Sequence, residues 1–134
     1  MILFVCTGNT CRSPMAAALA AGRGITAESA GLAAYPGAPA TPEAQRAAAR
    51  YGADLSRHRA RQIDETLAAR ARRIYAMTAA QAARLRALFP AQAEKIFALC
   101  PEIPDPYGGG PEEYARCAAQ LLRAVEGLGG DDRA

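Results

Sequence analysis

A cysteine stands near the start of the chain with an arginine shortly after it, in the run Cys6-Thr7-Gly8-Asn9-Thr10-Cys11-Arg12-Ser13. The run follows an apolar stretch, Ile2 to Cys6, and precedes Pro14 and a string of strong helix formers. A tight loop in that position can point successive N–H groups inward as a nest. The following helix adds unpaired N–H groups and its positive dipole end. Arg12 can grip two phosphoryl oxygens with its planar fork. Gly8 permits the backbone conformation such a curl needs. Cys6 then sits at the floor of a cup shaped for an oxyanion, in a field that favours the thiolate. Ser13 can donate a hydrogen bond to that sulfur. A thiolate facing a bound phosphoryl group is set for in-line attack and a cysteinyl-phosphate intermediate.

The leaving group needs a proton, and the loop holds no histidine. Asp105, in Asp105-Pro106-Tyr107, is the best acid. It lies in a Gly/Pro-rich loop expected to follow the fourth strand. In a parallel sheet that loop emerges at the same carboxyl edge as Cys6.

The elements that must position these groups are legible from pattern. Ile2 to Cys6 reads as a fully buried strand. Pro14 opens a helix that runs from Met15 to Ala21 and stops at Gly22. Ile25 to Ala30 reads as a second strand, Ile74 to Met77 as a third and Lys95 to Leu99 as a fourth. Further helices are expected over Pro42–Tyr51 (capped by Thr41 and stopped by Gly52), Asp64–Arg70, Ala79–Phe89 (capped by Thr78) and Pro111–Leu128. On the last helix Tyr114, Ala118, Leu121, Val125 and Leu128 form one apolar face. Strands alternating with helices predict a three-layer α/β sandwich around a parallel sheet. Residues 1–134 are expected to form one domain, with 129–134 a frayed tail.

Composition narrows the function. The chain has 134 residues, 51% hydrophobic and 22% charged, with a net charge of +3. That is enough for a real core and too weakly basic to imply a nucleic-acid partner. No segment reads as a membrane span or signal peptide, so a cytoplasmic location is expected. The four cysteines form no CxxC pair and His58 is the only histidine. Neither a metal site nor a disulfide framework is expected, and no cofactor is implied. Cys117 and Cys100 read as apolar packing residues, His58 as a capping or structural residue, and Arg57, Arg59 and Arg61 as a solvated face.

Val5-Cys6-Thr7-Gly8-Asn9-Thr10-Cys11-Arg12-Ser13-Pro14 resembles the signature of the low-molecular-weight protein-tyrosine phosphatases. Ser29-Ala30-Gly31, His58-Arg59-Ala60-Arg61-Gln62, Ala76-Met77-Thr78 and Asp105-Pro106-Tyr107 resemble further segments of the same family, so the likeness runs through nearly the whole chain. The resemblance implies a four-stranded parallel sheet of order 2-1-3-4 with the phosphate-binding loop after the first strand. It implies Cys6 as nucleophile, Arg12 as phosphate clamp and Asp105 as general acid and then base. Thr7, Gly8, Asn9, Thr10, Cys11, Arg12 and Ser13 would line the phosphate, with Tyr107 beside the substrate. Asn9, Ser13 and Ser29 would support the loop, and Cys11 would trap an oxidised Cys6 as a disulfide. The implied partners are phosphorylated proteins, with no nucleic acid or membrane, and the chain is expected to act as a monomer.

Two departures bear on the substrate. Thr10 stands where eukaryotic tyrosine-specific members carry a bulky aliphatic residue. Tyr107 is followed by Gly108-Gly109-Gly110 rather than by a second aromatic. Both features resemble the bacterial protein-arginine-phosphatase branch. A smaller, hydroxyl-bearing wall and a thinner aromatic clamp favour phosphoarginine over phosphotyrosine. Arsenate reduction by a thiol relay is disfavoured, because no cysteine lies between Ala79 and Leu99. A silent phosphate-binding module is disfavoured because Cys6, Arg12 and Asp105 are all present. A nucleotide P-loop would need Gly-Lys-Ser/Thr, and Lys95, the only lysine, follows Glu94.

Overall fold

The computed structural model describes residues 1–128. Four strands, β1 (Ile2–Cys6), β2 (Ala27–Gly31), β3 (Arg73–Ala76) and β4 (Ile96–Ala98), form one sheet in the order β2-β1-β3-β4. All three pairings are parallel. Five helices flank it: α1 (Arg12–Ala21), α2 (Pro42–Ala49), α3 (Glu65–Arg70), α4 (Ala79–Leu88) and α5 (Pro111–Glu126). A 3-10 turn, Pro90–Lys95, joins α4 to β4 and was not expected from the sequence. The expected frayed tail, 129–134, lies outside the described residues.

The period-two alternation of β1 builds two cores. Ile2, Phe4 and Cys6 face one side, with Met15, Leu19, Ala44, Ala48, Tyr114, Leu121 and Val125 from α1, α2 and α5. Leu3 and Val5 face the other, with Leu67, Ile74, Leu85 and Ile96 from α3, β3, α4 and β4. All five β1 residues are buried, as a strand covered on both faces must be. Each large side chain so buried contributes roughly 1.5–3 kcal/mol.

Helix starts follow their caps. Thr41 accepts from Ala44 N–H and Asp64 from Leu67 N–H. Thr78 and Gln81 form a reciprocal capping box at α4. The start of α1 differs, because Cys11 caps it with no side-chain bond. No side chain therefore caps the N–H groups of Arg12 and Ser13, Pro14 has none to cap, and Met15 N–H bonds the Cys11 carbonyl. Gly22 ends α1, but the left-handed turn falls at Gly24 (φ 82°). Leu128 is half-buried, whereas the other four expected members of the α5 stripe are buried.

Candidate active site

β1 ends at Cys6 and α1 begins at Arg12, so the residues between curl at the carboxyl edge of the sheet. The curl does not turn on Gly8 as expected. A Cβ at Gly8 would meet only Thr10 Oγ1, at 3.7 Å, which is ordinary contact. Asn9 takes the left-handed conformation instead, with φ 57°. Asparagine tolerates that region because its short amide bonds locally. Asn9 is fully buried and its side chain makes three hydrogen bonds. Nδ2 donates to Ser13 Oγ (2.8 Å) and Ser29 Oγ (3.0 Å), and Oδ1 accepts from Arg61 N–H (3.0 Å). Its carbonyl is 2.7 Å from His58 Nε2.

The same residue aims its own N–H at Cys6 Sγ, 3.3 Å away. Ser13 Oγ lies 2.9 Å from that sulfur and 3.3 Å from the Ala30 carbonyl. Since Asn9 donates to Ser13, the single Ser13 proton goes outward, and the sulfur is its nearer acceptor. Two protons directed at one sulfur suit a thiolate.

Glycine is required at Gly31, the β2 residue paired with Cys6. A Cβ there would lie 2.7 Å from the Thr7 carbonyl and 3.1 Å from Asn9 Cβ. Only a residue without a side chain lets β2 pass this close behind the loop.

Arg12 is buried, and its Nη1 donates to the Ile103 carbonyl at 3.0 Å. Its Nη2 stands 3.6 Å from Asp105 Oδ2. The other Asp105 oxygen accepts from Tyr107 N–H at 3.0 Å, a turn that fixes the carboxylate. Half of the Asp105 side chain is exposed, so it faces the open side of the cup. Two loops thus bring the Cys6 sulfur, the Arg12 guanidinium and the Asp105 carboxylate to one edge of the sheet.

His58 is half-buried, and burial pushes its pKa below the ordinary histidine range. The Asn9 carbonyl opposes that shift, while Arg59 and Arg61 add to it. A neutral ring that meets a carbonyl through Nε2 must carry its proton there. His58 is therefore structural, as expected. Arg61 is exposed, as expected of a solvated face, but it is also bonded. Its Nε donates to the Ser29 carbonyl at 3.0 Å and its Nη2 pairs with Glu28, a residue it shares with Arg70. Those partners hold Glu28 below the usual carboxylate range, Arg61 foremost.

Cys11 is buried, with its sulfur 3.4 Å from Tyr114 OH and 3.6 Å from Thr41 Oγ1. Burial pushes the Tyr114 phenol above its usual range, and the Cys11 contact adds to the effect. Cys117 is buried and its thiol is pushed up to about 12 by that burial. Cys100 is exposed, contrary to the expected strand-end packing, because β4 stops at Ala98. Thr10 is half-buried, and Thr7, Tyr35 and Tyr107 are exposed. Among the described residues no three of His, Cys, Asp and Glu are grouped to hold a metal ion. No described helix is long and apolar enough to cross a membrane.

Three contacts escaped the sequence reading: Gln81 Nε2 on Thr7 Oγ1 (3.1 Å), Tyr114 OH on Cys11, and the Ile103 carbonyl on Arg12. The Thr78-x-x-Gln81 spacing signals a capping box, but nothing in it points to Thr7. Backbone acceptors such as Ile103 leave no sequence signal.

A buried cysteine at the end of β1, a buried arginine on the first turn of α1 and an aspartate from a second loop together make a candidate cysteine-based anion site on a parallel α/β sheet. The family described as low molecular weight phosphotyrosine protein phosphatase matches residues 1–131, and the chain belongs to it. A probable low molecular weight protein-tyrosine-phosphatase, EpsP, of Ralstonia solanacearum is 50% identical over 68 residues, 49% of this chain and 47% of that protein. A protein-arginine-phosphatase of Geobacillus stearothermophilus is 46% identical over 65 residues, 46% of this chain and 43% of that protein. The matched stretches thus span about half the length of these curated relatives. Solved structures match over more of the chain. A low molecular weight protein tyrosine phosphatase from T. tengcongensis has TM-score 0.90 and 36% identity, covering 93% of this chain and 94% of its own. The YwlE arginine phosphatase from Geobacillus stearothermophilus has TM-score 0.89 and 35% identity, covering 93% and 87%.

Proposed function

We propose that this chain is a cysteine-dependent protein phosphatase whose preferred substrate is protein phosphoarginine. One observation carries the chemistry: Cys6 Sγ receives the Asn9 N–H and the Ser13 hydroxyl at the mouth of a helix whose buried Arg12 is paired with Asp105. The phosphoryl group binds the loop N–H groups and the Arg12 fork. Cys6 attacks phosphorus in line, and the bond from phosphorus to the leaving atom breaks. Asp105 gives its proton to that atom, the guanidinium nitrogen in phosphoarginine. Water then attacks the cysteinyl-phosphate, Asp105 takes a water proton, and the S–P bond breaks to release inorganic phosphate. Thr7, Gly8, Asn9, Thr10, Cys11 and Ser13 form the cup, with Ser29 supporting Asn9 from behind. Cys11 is the proposed redox partner, able to capture a peroxide-oxidised Cys6 as a disulfide.

Support for arginine is the small Thr10 wall and the single aromatic of the Asp105 loop, together with the relatives named as arginine phosphatases. A phosphotyrosine reading is favoured by EpsP, the relative at 50% identity, and by Tyr35 and Tyr107, which stay exposed. The test is the ratio of kcat/KM for phosphoarginyl and phosphotyrosyl peptides, in wild type and in Thr10→Ile, with metal chelated. Added apolar bulk and a lost hydroxyl should shift the ratio roughly 10–200-fold toward phosphotyrosine. A wild type that prefers phosphotyrosine, or a ratio that Thr10→Ile leaves unmoved, overturns the arginine reading.

A further inference from the structure

The side chain of Gln81, which the proposed mechanism does not use, makes three hydrogen bonds. It lies on the first turn of α4. Its Oε1 accepts from both Met77 N–H (3.0 Å) and Thr78 N–H (3.2 Å). Those two donors fix the orientation of the amide, because only the oxygen can accept them. Nε2 must then face the other way, where it meets Thr7 Oγ1 at 3.1 Å. An amide nitrogen only donates, so the Thr7 oxygen accepts. Its own proton is left to point elsewhere, and it finds no acceptor among the described residues.

Thr7 is the exposed residue of a loop that otherwise buries Cys6, Asn9, Cys11 and Arg12. The phosphoryl oxygens inside the cup are served by loop N–H groups and by Arg12. Beside Thr7 the α4 turn presents Ala79 and Ala80, both exposed and both small. That leaves room for an extended chain to lie across the lip. The turn is also tied to the loop that carries Asp105, since Glu102 Oε2 accepts from Ala79 N–H at 2.6 Å. Its position is thus set against both halves of the site.

We propose that Gln81 is a positioning residue that orients the Thr7 hydroxyl as a donor to a main-chain carbonyl of the substrate protein, beside the phosphorylated residue. This rests on the phosphatase reading and adds a peptide subsite at the lip of the cup. Gln81 acts through Thr7 and touches no reacting atom. The bond strengthens peptide binding and leaves the phosphoryl-transfer step unchanged.

Gln81→Glu separates the two roles of the side chain. Glutamate keeps both backbone acceptances and remains a standard capping-box residue, so α4 stays capped. It cannot donate, so the Thr7 hydroxyl turns its proton toward the carboxylate and its lone pairs toward the substrate. The readout is kcat/KM for a decameric phosphopeptide (phosphoarginyl or phosphotyrosyl, whichever wild type turns over faster) divided by kcat/KM for p-nitrophenyl phosphate. The added negative charge acts on the phosphoryl group of both substrates and cancels in the ratio. One neutral hydrogen bond corresponds to roughly 2–12-fold in affinity. The ratio should fall by about that factor in Gln81→Glu and in Thr7→Val, through KM. It should hold in Thr7→Ser, and the double variant should fall no further than Thr7→Val alone. An unchanged ratio in Gln81→Glu overturns the proposal. So does a double variant that loses the product of the two single effects. Equal losses on both substrates in Thr7→Val would assign the hydroxyl to the phosphoryl group and also overturn it. A wild type inactive on both substrates rejects the phosphatase reading itself, and the proposal with it.

Discussion

The Asn9 side chain ties the Cys6 loop to Ser13, Ser29 and Arg61. Asn9→Gly removes the side chain and keeps the left-handed backbone free of strain. Three bonds are lost: to Ser13 Oγ, to Ser29 Oγ and from Arg61 N–H. At about 1 kcal/mol each the loss is about 3 kcal/mol. Ser13 and Ser29 are buried, so each loses its donor away from bulk solvent. Asn9→Ala loses the same bonds and adds about 1 kcal/mol for an alanine at positive φ. The greater unfolded-state freedom of glycine offsets about 0.4–1 kcal/mol of that difference. The two variants should therefore be close, each about 3.5–4 kcal/mol less stable than wild type. In a chain of this size the loss lowers Tm by roughly 10–15 °C. Urea unfolding followed by circular dichroism measures it, with the midpoint shifting and the slope unchanged. If Asn9→Gly stays within about 1 kcal/mol of wild type, the network does not hold the loop and the reasoning fails.

Removing the acid by Asp105→Asn should slow the phosphorylation step by about 10²–10⁴-fold for alkyl and guanidinium leaving groups and spare that step, read as the pre-steady-state burst, for p-nitrophenolate, which needs no proton; equal losses in that step on both classes would make Asp105 structural. His58 sets an acid limb to stability. Its folded pKa lies below the ordinary 6.5, so between the two values the unfolded chain binds more protons. The His58 contribution is complete above pH 6.5 and is lost as pH falls through the folded value. Urea midpoints measured from pH 7.5 to 4.5 should show that limb, and His58→Gln, which can keep a donor to the Asn9 carbonyl, should flatten it.

The elements most legible in the sequence are those fixed by local pattern. The β1 run carries its two-sided burial in five consecutive apolar residues. Thr41 and Thr78 announce their helices by cap chemistry, whereas Asp64, read as the first residue of its helix, is the cap before it. Boundaries moved where the chain leaves the sheet. β2 starts at Ala27, not Ile25, because its pairing register begins opposite Ile2. The site residues were read from spacing and resemblance, but their bonding could not be. Gly8 looked like the pivot because glycine is the default left-handed residue. Asn9 takes that role because its amide is held by partners 4, 20 and 52 positions away. Arg61 is exposed as read, but its bond to the Ser29 carbonyl left no signal for the same reason, since that acceptor is remote in sequence.

A covalent phosphoenzyme at Cys6 is the central step of the proposed reaction. Wild type mixed with phosphopeptide and acid-quenched during turnover should yield one tryptic peptide heavier by a single phosphoryl group, the one that contains Cys6. The adduct should be absent in Cys6→Ala and should accumulate in Asp105→Asn when p-nitrophenyl phosphate is the substrate, because hydrolysis of the intermediate then lacks its base. Turnover that persists in Cys6→Ala, or a phosphoryl group found on any other residue, would contradict the mechanism.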